Sequence, residues 1–83
     1  MFEVKFVTPA GDKYQTSVER LSLPTVEGVR TILAHHMDTI IPLKAGRVKL
    51  INDRDEAFID ISEGLFYFSD NESKVFVRQF SQE

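Results

Sequence analysis

Apolar and polar residues alternate along most of this chain. Phe2, Val4 and Phe6 are interleaved with Glu3 and Lys5, and Val48 and Leu50 with Arg47 and Lys49. A period of two puts every second side chain on one face of an extended backbone, the pattern of a strand buried on one side. Turn-forming residues interrupt the alternation at 9–12, 24–28, 44–46, 52–55, 63–64 and 70–73. Strands are therefore expected at 2–7, 13–18, 19–23, 29–33, 39–43, 47–52, 57–62, 65–69 and 75–80. Only residues 26–37 offer a competing period, with Val29, Ile32, Leu33 and His36 at helical spacing. The β-branched residues there and the strand patterns on either side favour a strand followed by a loop.

Short strands between regular turns predict an all-β fold, a flattened β-sandwich or barrel of about nine to ten mostly antiparallel strands. The 83 residues form one domain, and one this small buries only roughly 60% of the surface its unfolded chain exposes. No cysteine is present to supplement the core. Seven Phe and two Tyr supply the bulk instead, because each aromatic ring buries a large area for a single residue.

The net charge is −3 and the ten basic residues are scattered, which gives a nucleic-acid backbone no electrostatic footprint to bind. Apolar runs are far shorter than the roughly 20 residues that cross a bilayer, and MFEVKF has no signal or transit pattern. The chain on its own is expected to be soluble and cytosolic, and it ends too soon after its last strand to add a helical appendage.

Chemistry-bearing residues are few. His35, His36 and Asp38 are the one cluster of metal-ligand types, but adjacent strand residues point to opposite faces and a further ligand would have to come from elsewhere. Asp53, Asp55 and Glu56 suit a solvated hairpin tip, and NDRDE lacks the glycine and closing glutamate of a calcium loop. Ser62 stands outside any nucleophile-elbow motif. The four glycines fall one per turn, not in a phosphate-binding cluster. Neither a catalytic constellation nor a cofactor site is predicted. In the run Leu65, Phe66, Tyr67, Phe68 both strand faces carry apolar bulk, so one face is either covered or a partner surface.

Several motifs occur in a familiar order: VTPAGD at residues 7–12, then Leu23, Pro24, Glu27 and Gly28, then Leu43, Gly46 and Val48. Phe58, Ile61, Ser62, Gly64 and Leu65 follow, with Lys74, Val75 and Val77 closing the series. In this the chain resembles the N-terminal β-sandwich domain of the epsilon subunit of rotary ATP synthases. The family loop G-I-L-P-G-H-A-P is here T-I-L-A-H-H-M-D, which keeps Ile32, Leu33 and His36 but loses both prolines and both glycines. Its backbone is expected to take a different path.

The resemblance implies a non-catalytic, cofactor-free subunit of the central stalk that couples ion translocation to ATP synthesis. It implies contact with the ring of c subunits through Glu27, Val29 and Arg30, and with the gamma subunit through His36 and Ile41. Membrane association is then peripheral, through the complex, at the cytoplasmic face of the inner or plasma membrane. Family members usually continue into an inhibitory two-helix hairpin, which lies outside these 83 residues. Two alternatives are a small β module binding a metal through His35, His36 and Asp38, and a self-associating scaffold with Phe66 and Phe68 at its interface.

Overall fold

The computed structural model describes residues 1–82. They form ten strands and no helix: β1 (Phe2–Val7), β2 (Lys13–Val18), β3 (Arg20–Thr25), β4 (Gly28–Leu33) and β5 (Thr39–Leu43), followed by β6 (Gly46–Asn52), β7 (Asp55–Ile61), β8 (Gly64–Ser69), β9 (Glu72–Val77) and β10 (Phe80–Gln82). The 26–37 segment is strand and loop, as the β-branched residues require. Hydrogen bonding runs β10-β7-β6-β3-β5-β8-β9-β1-β2, with β4 attached to β3. Two layers result, β5-β8-β9-β1-β2 and β10-β7-β6-β3-β4, which meet where Thr25 of β3 pairs with Leu43 of β5. Among the described pairings only β1 with β9 is parallel.

One predicted strand is really two. The 75–80 segment breaks at Arg78 and Gln79, where β9 ends in the first layer and β10 begins beside β7 in the second. Ser62 secures the crossing: its Oγ accepts hydrogen bonds from the backbone N–H groups of Arg78 at 3.0 Å and Gln79 at 3.2 Å. Its own N–H donates to the Gln79 carbonyl at 3.1 Å. The bend re-aims Phe80, whose ring lies 5.7 Å from that of Phe6 in the opposite layer. Phe76, before the bend, faces outward.

The core fills the space between the layers. Phe2, Phe6, Phe66 and Phe68 enter from one side, and Leu21, Leu23, Ile32, Val48 and Ile59 from the other. Phe2 meets Phe68 edge to face at 5.4 Å, a geometry that suits the ring quadrupoles. Among the described residues no buried side-chain polar atom lacks a partner. Ser73 Oγ, for example, donates to the Glu3 carbonyl at 2.8 Å. Gly64 is required by close approach: a Cβ there would lie 2.0 Å from the Phe76 carbonyl oxygen on the adjacent strand.

Candidate functional site

Three regions of the surface deserve weighing as sites, and the first is the tip between β3 and β4. Thr25 pairs directly with Gly28, so Val26 and Glu27 alone make the turn. Gly28 takes φ +114°, open to glycine and strained for other residues. The buried Thr25 hydroxyl donates to the Gly28 carbonyl and accepts from the Glu27 N–H, which holds the turn from inside. Glu27, Val29 and Arg30 all stand exposed at this end. Strand alternation turns Val29 to the outer face and Arg30 to the other.

The second region is the β4–β5 loop, about 17 Å from the tip if five residues rise about 3.3 Å each. His35 sits at φ 62° and its N–H donates to Asn71 Oδ1 at 2.8 Å. His36 is half-buried: its ring meets Phe68 edge-on at 5.8 Å, and Nδ1 is 2.8 Å from the Met37 carbonyl oxygen. The Asp38 carboxylate accepts from the Asp70 N–H at 3.4 Å. His35, His36 and Asp38 thus turn to different neighbours instead of converging, and among the described residues no three His, Cys, Asp or Glu side chains are placed to hold a metal ion. The loop is a clasp onto the β8–β9 turn. That turn is Asp70–Asn71, both at positive φ as a two-residue primed hairpin demands. Asn71 Nδ2 also donates to the Met1 carbonyl at 3.2 Å.

The third region is the outward face of the first layer, and it corrects two expectations. Ile41 is 4% exposed and packs in the core, while Ile40 beside it is 64% exposed. An Ile41 side chain therefore cannot form a surface contact. Phe66 and Phe68 are likewise fully buried, so neither can line a self-association interface, whereas Leu65 and Tyr67 face outward. The sequence showed that the two sets point apart but not which was inside. Register assembles the outward set into rows: Pro42, Leu65, Phe76 and Val7 lie side by side across four strands, and Ile40 and Tyr67 continue in the next row with Lys74 and Lys5. Leu65, Tyr67 and Phe76 are 47%, 40% and 44% exposed. A groove of about 390 Å³ extends the apolar row past Pro9, Val77 and Arg78.

The outward face of the second layer is different in kind. Arg47 Nε lies 3.0 Å from Asp60 and Lys49 Nζ 3.3 Å from Glu56, and both cations approach the Phe58 ring. Its charges satisfy one another, as on a solvated surface.

A polar cleft of about 480 Å³ between Asp60, Ser62, Glu63 and Gln79 is the remaining concavity of comparable size described. Ser62 and Ser81 are its potential nucleophiles, but the Ser62 hydroxyl accepts two backbone bonds and directs its hydrogen to the Glu63 carbonyl at 3.4 Å. Among the described residues no base is hydrogen-bonded to either serine, and an acyl-transfer role needs one. The two layers thus differ in their exteriors, one carrying paired charges and the other apolar side chains.

Residues 1–83 match the family model for the β-sandwich domain of the ATP synthase delta/epsilon chain. The ATP synthase epsilon chains of Bacillus thuringiensis (strain Al Hakam) and Bacillus cytotoxicus are each 36% identical to this chain over 63 residues, 76% of its length and 47% of theirs. The chain thus spans about half the length of the relatives it matches. Its fold is shared with a chain of the Euglena gracilis mitochondrial ATP synthase, in a structure of OSCP, F1 and c-ring. The TM-score is 0.83 at 18% identity, covering 95% of this chain and 51% of that one. A chain from the Tetrahymena thermophila mitochondrial ATP synthase central stalk and c-ring gives 0.78 at 18% identity, covering 95% and 64%. The chain belongs to the ATP synthase delta/epsilon β-sandwich family.

Proposed function

We infer that the protein acts as a non-catalytic epsilon-type subunit of the ATP synthase central stalk, coupling ion translocation to ATP synthesis by binding the gamma subunit and the ring of c subunits. The observation that carries this is the apolar outward face of one layer, Ile40, Leu65, Tyr67 and Phe76, in a chain of this family. An exposed apolar patch on so small a domain is costly to solubility and is the usual mark of a partner surface. It supports a gamma contact centred on Ile40 and Tyr67, in place of Ile41, with the half-buried His36 holding the adjoining loop from beneath. The β3–β4 tip, with Glu27, Val29 and Arg30 exposed on a rigid two-residue turn, supports contact with the polar loops of the c-ring. Attachment to the membrane is then peripheral, at its cytoplasmic face, through the complex.

Calorimetric titration into the cognate gamma subunit tests the reading. One-to-one binding is expected, weakened at least about tenfold by Tyr67→Asp, since a charge would be buried in an apolar contact. Absence of binding by the folded wild-type chain, or a Tyr67→Asp variant that binds as well, refutes the gamma face. Val29→Asp is expected to leave gamma binding intact and to weaken binding to the isolated c-ring; an unchanged affinity for the ring refutes the tip's assignment.

A further inference from the structure

The two layers treat their outward charges in opposite ways. On the β6–β7 face each cation has a carboxylate partner. On the first layer, the parallel register sets Lys5 beside Lys74 and Glu3 beside Glu72. Like charges facing each other on neighbouring strands work against a sheet. Glu3 is engaged by Gln15 at 3.0 Å and Ser17 at 2.9 Å. Neither Lys5 nor Lys74 forms an ion pair within 4.0 Å among the described residues.

Successive rows on this face stand about 7 Å apart, two residues at about 3.3 Å each. In order they are apolar (Pro42, Leu65, Phe76, Val7), then Ile40 and Tyr67 leading into the basic pair, then acidic (Glu72, Glu3). A face that met only water would be better served by mixing the signs within a row, as the other layer does. Two unpaired lysines bordering an apolar strip instead complement a surface with an apolar ridge edged by carboxylates, because desolvated cations gain most from partners of opposite charge.

We propose that the partner element covering this face lies across β5, β8, β9 and β1, seats an apolar ridge on Pro42, Leu65, Phe76 and Val7, and turns acidic side chains onto Lys5 and Lys74. The occupant is the gamma-type subunit, so the inference rests on the stalk reading above and adds the partner's chemistry and its direction across the strands. The groove beyond Leu65 and Phe76 lengthens the seat for that ridge.

The test is gamma binding by calorimetry at low and high salt, for wild type and four variants, Tyr67→Asp among them, each checked for folding by its thermal transition. Lys5→Glu with Lys74→Glu is expected to weaken binding at least about tenfold at low salt, and Lys5→Gln with Lys74→Gln by less, because steering and pairing both depend on the sign of the charge. Both gaps should narrow near 0.5 M salt, where the screening length falls to roughly 4 Å. Lys49→Glu, on the other layer, should stay within about twofold of wild type. The neutral pair guards against misfolding of the charge-reversed one. Double variants that bind as tightly as wild type at low salt, while Tyr67→Asp abolishes binding, overturn the acidic edge and leave the stalk reading standing. A folded wild-type chain that does not bind gamma at all overturns both.

Discussion

Single atoms decide more in this domain than its composition suggests. Replacing Gly64 by Ala would drive a methyl into the Phe76 carbonyl oxygen of the adjacent strand, 2.0 Å away. Backbone cannot yield as a flexible side chain can, so a loss of about 3 kcal/mol or more is expected. That is a large share of the roughly 5–15 kcal/mol such domains possess, and urea denaturation would read it. Ser62→Ala strips the acceptor from two backbone N–H groups at the layer crossing. It should cost about 1–2 kcal/mol, seen as a melting temperature lower by roughly 5–10 °C. Neighbours Ile40 and Ile41 make the sharpest contrast. Ile41→Asp places a carboxylate in the core and should abolish the cooperative thermal transition, whereas Ile40→Asp should melt like wild type and fail to bind gamma. The alternation of Ile40 and Ile41 was legible in the sequence, but the sign was not. Both are isoleucines, Pro42 and Leu43 repeat the ambiguity, and only the layer stacked against β5 determines which side is inside.

Among the elements, the strands with charged or polar residues at every second position were the most legible. β1, β2 and β6 fall where the period of two places them, within a residue or so. The element misread was 75–80, because Phe76 and Phe80 keep one strand phase, against Val75 and Val77 in the other, through a bend that a serine sixteen residues earlier imposes. Local periodicity carries no record of such a bond. The β4–β5 loop was unreadable for a related reason: its anchors are Asn71 and the Asp70 N–H, thirty-odd residues downstream. Asn71→Ala removes the acceptor for the His35 N–H, the donor to the Met1 carbonyl and a residue tolerant of its φ of 59°. We expect a loss of about 1–2 kcal/mol, with amide exchange quickened in residues 34–38 before the rest of the protein. β4 itself is hydrogen-bonded along one edge only, so alternate amides in it should exchange quickly while those of β8, paired on both sides, await global opening.

At the scale of the whole molecule, the chain's two ends are drawn together: β1 pairs with β9, roughly seventy residues on. Loop closure over that distance must precede the contacts that reward it, so refolding by stopped-flow should take milliseconds to seconds, not microseconds. This long-range pairing is also why the striped face was invisible beforehand. Lys5 and Lys74 are unremarkable apart, and nothing near either one announces that they stand side by side. The parallel sense of that pair has a mechanical consequence. In parallel neighbours the start of β1 and the end of β9 lie at opposite ends of the shared seam. Tension applied between them pulls the strands lengthwise past each other, loading every bond of the seam at once. An antiparallel seam pulled from the same two points would open like a zip, one bond at a time.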